Sequence, residues 1–294
     1  MKNIQLLLLA LLFITTGASA AEIRKVTPPD YPHINSILIE GLIESGDYLK
    51  FKQALTSRPS PDKVILWSAG GDALEAMKIG RLIRKLRMKT EAPVIFRLKD
   101  SDKVFCETPL EGIRLEQEDP NCSCLSACFL IYAAGIDRYG NYLGVHRPHI
   151  PPERLITLSD DKVEKVMKTA EQLVRDYLIE MDTPRDIINI MMETNSQEIY
   201  FLTKKQEEEI QQEVPFVEEL ILSNCKELSP EENKKLKFYR KRNSRVDVKK
   251  RELQILLKKW ERQLGCGRDL KKNIHERAYS KWANKKRGSS TQVE

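Results

Sequence analysis

The stretch Lys63-Val-Ile-Leu-Trp-Ser-Ala-Gly-Gly-Asp72 decides the fold class of this chain. Its first half, Lys63 to Trp67, is an apolar run of the kind found in strands buried inside parallel sheets. The Gly70-Gly71 pair predicts a turn. The apolar residues that follow recur at helical spacing, at Ile79, Leu82, Ile83 and Leu86. Strand, turn and helix in this order are the unit from which α/β proteins are built.

The same alternation of strands and helices extends to both sides of this stretch. Further strands are predicted at Ser36–Ile43, Pro93–Phe96, Tyr142–Val145 and Ile199–Leu202. Helices are predicted at Tyr48–Leu55 (with Asp47 as its cap), Ala73–Met88, Ser126–Ala134, Asp160–Met181 and Arg185–Glu193. Residues 97–121 are polar and predict a long irregular loop. We therefore expect residues 21–226 to form an α/β domain, with a mostly parallel sheet wrapped by helices.

Charge divides the 294-residue chain into an acidic body and a basic extension. The whole chain carries a net charge of +6, but residues 227–294 hold 21 Lys and Arg against 9 Asp and Glu. The pattern of this extension predicts three helices, at Pro230–Arg242, Val248–Leu264 and Leu270–Lys285. Its basic residues form either a solvated helical face or a surface that contacts anionic lipid headgroups. No nucleic-acid recognition motif is present, so nucleic acid is not an expected partner.

The first twenty residues have the pattern of a secretory signal peptide. A positive start at Met1-Lys2-Asn3 is followed by the apolar run Ile4 to Ile14 and the small-residue site Ala18-Ser19-Ala20. The apolar run is shorter than the roughly 20 residues that a membrane span needs. An uncleaved anchor is the alternative. With 41% hydrophobic and 31% charged residues, the composition excludes membrane-embedded, disordered and fibrous classes. We expect a periplasmic or secreted protein, cleaved near Ala20.

Export makes the six cysteines candidates for disulfides. Cys225 with Cys266 would close the extension onto itself, and Cys106 with Cys122 or Cys124 would hold the long loop. The sequence does not decide between these pairings. Cys128 is interpreted as a buried core residue. A zinc site over Cys122, Cys124 and Cys128 is the rival reading, although their spacing is not that of paired zinc ligands. No metal is expected.

Three features that nucleophilic catalysis could use follow one another along the chain. The Gly70-Gly71 turn presents backbone N–H groups of the kind that bind an oxyanion. Ser126 begins a helix that is apolar throughout, and His146 follows a buried strand. An imidazole within hydrogen-bond reach could take the proton of the Ser126 hydroxyl.

The runs that carry these features resemble a known family. They are Ser68-Ala-Gly-Gly-Asp72, Cys124-Leu-Ser-Ala-Cys-Phe-Leu-Ile-Tyr-Ala-Ala-Gly135 and Gly144-Val-His-Arg-Pro148. Together they resemble the Clp protease proteolytic subunit and, more closely, exported Clp-like proteins of the crotonase-type fold. Ser126 stands nine residues before Gly135, as the family pattern requires, and His146-Arg147-Pro148 completes it. The resemblance covers about residues 35–215 and implies a ClpP/crotonase-like fold.

The resemblance implies a role for each matched residue. Ser126 would be the nucleophile of an exported serine peptidase and His146 the general base. The oxyanion hole would be formed by the N–H groups of Gly71 and Ala127, with Gly70 shaping the turn. No cofactor is implied. These folds often form oligomers, and the helix after His146 would make the contact.

The sequence departs from the family at two positions. Ala69 stands where the family has proline, and the third catalytic residue, an aspartate, is missing. Glu198 is the nearest carboxylate, and Asn195 could orient the imidazole instead. A silent Clp-like fold that serves as a binding or assembly module in the cell envelope is therefore the alternative function. An acyl-CoA enzyme of crotonase type is a third reading, disfavoured because that cofactor is cytosolic.

Overall fold

A computed structural model describes residues 20–27, 35–56, 59–97, 103–108, 112–115, 122–151, 153, 155–241 and 250–290. Its strands are β1 (Glu22–Val26), β2 (Ser36–Glu40), β3 (Lys63–Trp67), β4 (Lys89–Glu91), β5 (Val94–Arg97), β6 (Val104–Thr108), β7 (Gly112–Leu115), β8 (Cys124–Leu125), β9 (Arg138–Tyr139), β10 (Leu143–Val145) and β11 (Tyr200–Phe201). Its helices are α1 (Asp47–Ala54), α2 (Ala73–Leu86), α3 (Ala127–Ala133), α4 (Asp160–Glu180), α5 (Arg185–Glu193), α6 (Lys204–Ile210), α7 (Pro215–Asn224), α8 (Pro230–Lys241) and α9 (Lys250–Ser290). The predicted α/β class is confirmed. The predicted signal peptide lies almost wholly outside the described residues.

The central sheet has the strand order β1-β2-β3-β4-β9. The pairs from β2 through β9 are parallel, while β1 is antiparallel to β2. The inward residues of β2 and β3, among them Ile37, Ile39, Val64 and Leu66, are fully buried against the helices. The predicted strand at Ser36–Ile43 ends early, because Gly41 takes a positive φ of 95° directly after β2.

A second, smaller sheet continues this surface and has the order β11-β10-β8. Its strands β10 and β8 are parallel, and β11 is antiparallel to β10. The bridge between Ser68 and Cys124 joins it to the end of β3. All seven residues of α3 are buried beneath the two sheets. Both sheets are thus mixed, each with one antiparallel edge strand, β1 or β11, and the central sheet is mostly parallel, as predicted.

A third sheet corrects the prediction of an irregular loop over 97–121. Strands β5, β6 and β7 pair antiparallel within it. Their disulfide, Cys106–Cys122, packs against the outward side chains of the central sheet, namely Val26, Leu38, Ile65 and Trp67. The three strands are only four or five residues long and are separated by polar segments, so no periodic pattern of useful length marks them in the sequence.

Helix α1 begins differently from the prediction that Asp47 caps it. Gly46 is the N-cap, with φ 97°, and Asp47 is the first helical residue. The capping oxygen comes from α2, where Glu75 Oε2 accepts from Gly46 N at 3.2 Å and from Tyr48 N at 2.9 Å. A cap supplied from a distant helix leaves no local sequence signal.

Helix α4 packs on the body only through its second half. Val174, Tyr177 and Leu178 are buried, and Tyr177 Oη donates to Leu130 O at 2.8 Å. The residues from Asp160 to Leu173 include none that are buried, and Val166 and Leu173 are 36% and 40% exposed. The predicted apolar stripe is therefore covered over only part of its length.

The C-terminal extension contains α8 and one continuous helix, α9, where two helices were predicted. Gly265 and Gly267 do not interrupt α9. A glycine weakens a helix but does not break its hydrogen bonds. The disulfide Cys225–Cys266 ties α9 to the end of α7, and Tyr279 and Trp282 pack against the main core. Helices α6 and α7 were not predicted.

The described residues contain three disulfides: Cys106–Cys122, Cys124–Cys128 and Cys225–Cys266. Two match pairings that the sequence left open. The third shows that Cys128, which is buried in the core as predicted, is bonded to Cys124. It also removes the zinc alternative, since all three cysteines of that set are consumed as disulfides. Three disulfides are consistent with a protein of the periplasm or the extracellular space. In the described part of the chain, no helix is long and apolar enough to cross a membrane.

Candidate active site

Ser126 lies at a sharp turn between β8 and α3. Its φ of 55° and ψ of −119° fall in a region that a residue with a Cβ rarely adopts. Two backbone hydrogen bonds fix this conformation. Ser126 N donates to Gly144 O at 2.9 Å, and Phe129 N donates to Ser126 O at 3.0 Å. The turn leaves the residue partly exposed at the end of β8, although α3 behind it is fully buried.

The Gly70-Gly71 turn lies directly against Ser126. Both glycines have positive φ, 113° and 128°. A Cβ on Gly70 would stand 2.8 Å from Ser126 Cβ and 3.2 Å from Ala127 N, and a Cβ on Gly71 would collide with Ile43 O. Only glycine lets the two backbones approach this closely. The two runs singled out in the sequence, some 55 residues apart, are therefore neighbours in space.

Two backbone N–H groups at the facing turns of Gly70-Gly71 and Ser126 have no acceptor among the described residues. Gly70 N donates to Ser68 Oγ at 3.1 Å, which removes this group from any oxyanion site. In contrast, Gly71 N and Ala127 N donate to no acceptor within the described residues. A pair of uncommitted N–H groups next to a hydroxyl is the arrangement that stabilises a tetrahedral oxyanion. The oxyanion roles predicted for Gly71 and Ala127 stay predictions, and the Gly70 N–H is not available for such a role.

His146 follows β10, the strand beside β8. In the parallel register of these strands, Leu143 is opposite Cys124 and Gly144 is opposite Leu125. Ser126 and His146 therefore both lie just beyond the carboxyl ends of neighbouring strands. Such strands run about 4.8 Å apart, so the fold brings the two residues to the same edge.

The His146 ring is oriented by a backbone carbonyl. Its Nδ1 lies 2.8 Å from Arg147 O. Since a carbonyl only accepts, Nδ1 carries the proton, and the lone pair of the neutral ring is on Nε2. Burial lowers the pKa of His146 in spite of this hydrogen bond. The ring is therefore neutral at pH 7, the state that a general base requires.

The candidate third members do not reach His146. Glu198 is exposed, and its N–H donates to Asn195 O at 3.0 Å. The Oδ1 of Asn195 accepts from Gln197 N at 3.1 Å. Within the described residues neither side chain hydrogen-bonds to the ring, whose Nδ1 is taken by Arg147 O. A backbone oxygen in this role leaves no signal in the sequence, which is why the sequence pointed to side chains instead.

Ser126 Oγ and the His146 ring do not hydrogen-bond to each other in the described part of the chain. Hydrogen bonds between catalytic groups are often long without substrate and shorten in the complex. The Cys124–Cys128 disulfide spans Ser126, a feature that the sequence reading missed. Two cysteines at i and i+4 across the start of the predicted helix Ser126–Ala134 were the available signal. No cluster of His, Cys, Asp and Glu side chains able to hold a metal ion occurs in the described ranges.

The proposed function rests on the geometry of this site, because comparisons with known protein families and curated proteins found no relative. No protein-family model matches the chain, and no curated protein matches it significantly.

Proposed function

We propose that the protein is an exported serine hydrolase that cleaves peptides through Ser126, on a ClpP/crotonase-like α/β core. The observation that carries this proposal is the turn at Ser126. A strained, partly exposed serine there lies against the Gly70-Gly71 turn, and the N–H groups of Gly71 and Ala127 have no acceptor among the described residues. Strained backbone outside glycine is concentrated at functional sites. The order of strands and turns in the three motif runs supports the Clp-like core.

In the proposed reaction, Nε2 of His146 takes the Ser126 hydroxyl proton while Oγ attacks the substrate carbonyl. The N–H groups of Gly71 and Ala127 stabilise the tetrahedral oxyanion. The protonated His146 then delivers its proton to the leaving amine, and water resolves the acyl-enzyme by the same steps. Arg147 O holds Nδ1–H throughout and stabilises the imidazolium, the role that a carboxylate has in a triad.

Two further parts of the proposal concern where the protein acts and with what. Three disulfides and the predicted signal peptide favour the periplasm or the extracellular space. The uncovered first half of α4 favours assembly into a homo-oligomer through this helix, which light scattering would test. The basic extension favours contact with an anionic membrane surface.

Labelling with a fluorophosphonate probe tests the hydrolase proposal. We expect the wild-type protein to be labelled, Ser126→Ala to show no labelling, and His146→Ala to label at least about a hundredfold more slowly. Ser123→Ala is the matched control, because Ser123 is a buried serine three residues away that lies outside the proposed site. The alternative, a silent Clp-like binding module, predicts an unlabelled wild-type protein that is folded.

A further inference from the structure

A disulfide encloses the proposed nucleophile. Cys124 is the first residue of β8, Cys128 lies in the first turn of α3, and Ser126 stands midway between them. Both cysteines are fully buried, so their bond does not tie a surface loop to the body. The other two disulfides join residues 16 and 41 positions apart. A link between residues four positions apart acts on local backbone shape far more than on global chain entropy.

The shape that this disulfide selects is the turn at Ser126. The Cα atoms of Cys124 and Cys128 are 5.2 Å apart. Four residues of extended strand would span about 13 Å, whereas a disulfide needs Cα atoms closer than about 7 Å. The cross-link therefore excludes the extended continuation of β8.

The Ser126 conformation needs such support because it is unfavourable. Apart from the disulfide, the hydrogen bonds with Gly144 O and Phe129 N hold it in place. If φ relaxed to a negative value, the Ser126 side chain would leave Gly70 and the unused N–H of Ala127. The reactive oxygen and the oxyanion groups would then separate, although the rest of the core stayed folded.

We propose that Cys124 and Cys128 are positioning residues, whose disulfide holds Ser126 in its reactive conformation. This inference rests on the proposed role of Ser126. Formation of the bond removes two electrons and two protons from the two thiols. A disulfide oxidant accepts both and leaves as two thiols. The reduced chain is folded but slow, so the hydrolase becomes competent when it meets an oxidising compartment.

The test removes each of two disulfides separately, because one deletion is expected to slow labelling and the other to reduce stability. Cys124→Ala/Cys128→Ala removes the link at Ser126, and Cys225→Ala/Cys266→Ala, the matched control, removes the longer one between α7 and α9. A third variant, Cys124→Val/Cys128→Ala, restores apolar volume without a covalent bond. For each, we measure the inactivation rate constant and binding constant of a fluorophosphonate, together with the denaturant midpoint. Hydrogen exchange of the Ser126 and Phe129 amides is measured alongside.

We expect the Cys124/Cys128 variants, including the volume-restoring one, to lose about a hundredfold in the inactivation rate constant, with unchanged probe binding. Their Ser126 and Phe129 amides should exchange faster. The Cys225/Cys266 variant should lose more in denaturant midpoint, because its loop is longer, and keep the wild-type rate. Equal rates in all variants, equal losses in both disulfide deletions, or full rescue by Cys124→Val would overturn the positioning role.

Failure of the two proposals can be told apart. An unlabelled wild-type protein contradicts the hydrolase, whatever the disulfides do. In that case the positioning of Ser126 is decided by amide exchange alone: unchanged exchange at Ser126 and Phe129 in the Cys124/Cys128 variants refutes it.

Discussion

The turn at Ser126 and the surface where α9 docks on the body use their polar groups in opposite ways. At the docking surface, the Lys271 ammonium bonds both Asp137, at 3.0 Å, and Glu213, at 2.6 Å, and His275 Nδ1 bonds Leu86 O. At the turn, the N–H groups of Gly71 and Ala127 have no acceptor in the described residues. The paired polar groups of the docking surface stabilise the fold, whereas the N–H groups without an acceptor at the turn are available to a ligand.

The largest effect on labelling is expected at Gly70, where steric contact with Ser126 can be distinguished from the strain of a positive φ. Gly70→Ala puts a Cβ 2.8 Å from Ser126 Cβ at a φ of 113°. We expect labelling to fall at least about a hundredfold. Gly46→Ala is the control, since Gly46 also has a positive φ, 97°, but nothing within 4 Å of the added Cβ. It should cost about 1 kcal/mol of stability and leave labelling unchanged. Equal labelling in the two variants would show that the close approach of Gly70 to Ser126 is not needed for reactivity.

Lys271→Met tests the docking surface of α9, where the ammonium group forms two ion pairs. Burial disfavours the Lys271 charge, but Asp137 and Glu213 outweigh this and raise its pKa. Removing the ammonium leaves two half-buried carboxylates facing each other. We expect chemical denaturation to show about 1–3 kcal/mol less stability, with labelling retained. In Lys272→Met, which removes an exposed partner 4.0 Å from Glu276, the change should stay below about 0.5 kcal/mol. A loss of labelling in Lys271→Met would mean that the two regions are coupled.

A moderate effect is expected from the basic extension. Lys234 and Lys258 are exposed and form no ion pair in the described residues. Each lysine near an anionic membrane contributes about 1 kcal/mol, so Lys234→Gln/Lys258→Gln should weaken vesicle binding about tenfold or more at low salt. Lys235→Gln, whose ammonium is 3.0 Å from Glu252, should have a smaller effect. Cosedimentation with phosphatidylglycerol vesicles measures both. Binding that does not respond to salt would exclude this role of the extension.

The smallest effect is a pH dependence at the docking surface. Burial lowers the pKa of His275, and its Nε2 is buried with no hydrogen-bond partner among the described residues. Below the unfolded value of about 6.5 the unfolded chain gains a proton that the folded chain resists, so stability falls as the pH falls. Denaturation between pH 8 and 5 should show this slope, and it should be smaller in His275→Gln. The lowered pKa of His146 acts in the same direction, whereas the raised pKa values of Glu207, about 7, and of Glu213 act in the opposite one. An unchanged slope in His275→Gln would show that this histidine titrates alike in both states.

The sequence predicted the α/β class and the residues around Ser126 because those signals are local. Apolar runs, a glycine pair and helical spacing each report on a few neighbouring residues. What it missed depends on a distant partner, in the Glu75 cap of α1, or on local backbone conformation, in the pairing of Cys124 with Cys128 and the Arg147 carbonyl at His146. The continuity of α9 was also missed. There tertiary packing outweighs the low helix propensity of Gly265 and Gly267.

The most direct measurement of the central claim is mass spectrometry of the full chain after reaction with a fluorophosphonate. We predict a single phosphonyl adduct, mapped by proteolysis and fragmentation to Ser126. No adduct on the folded protein, or an adduct on another serine with Ser126 unmodified, would contradict the account.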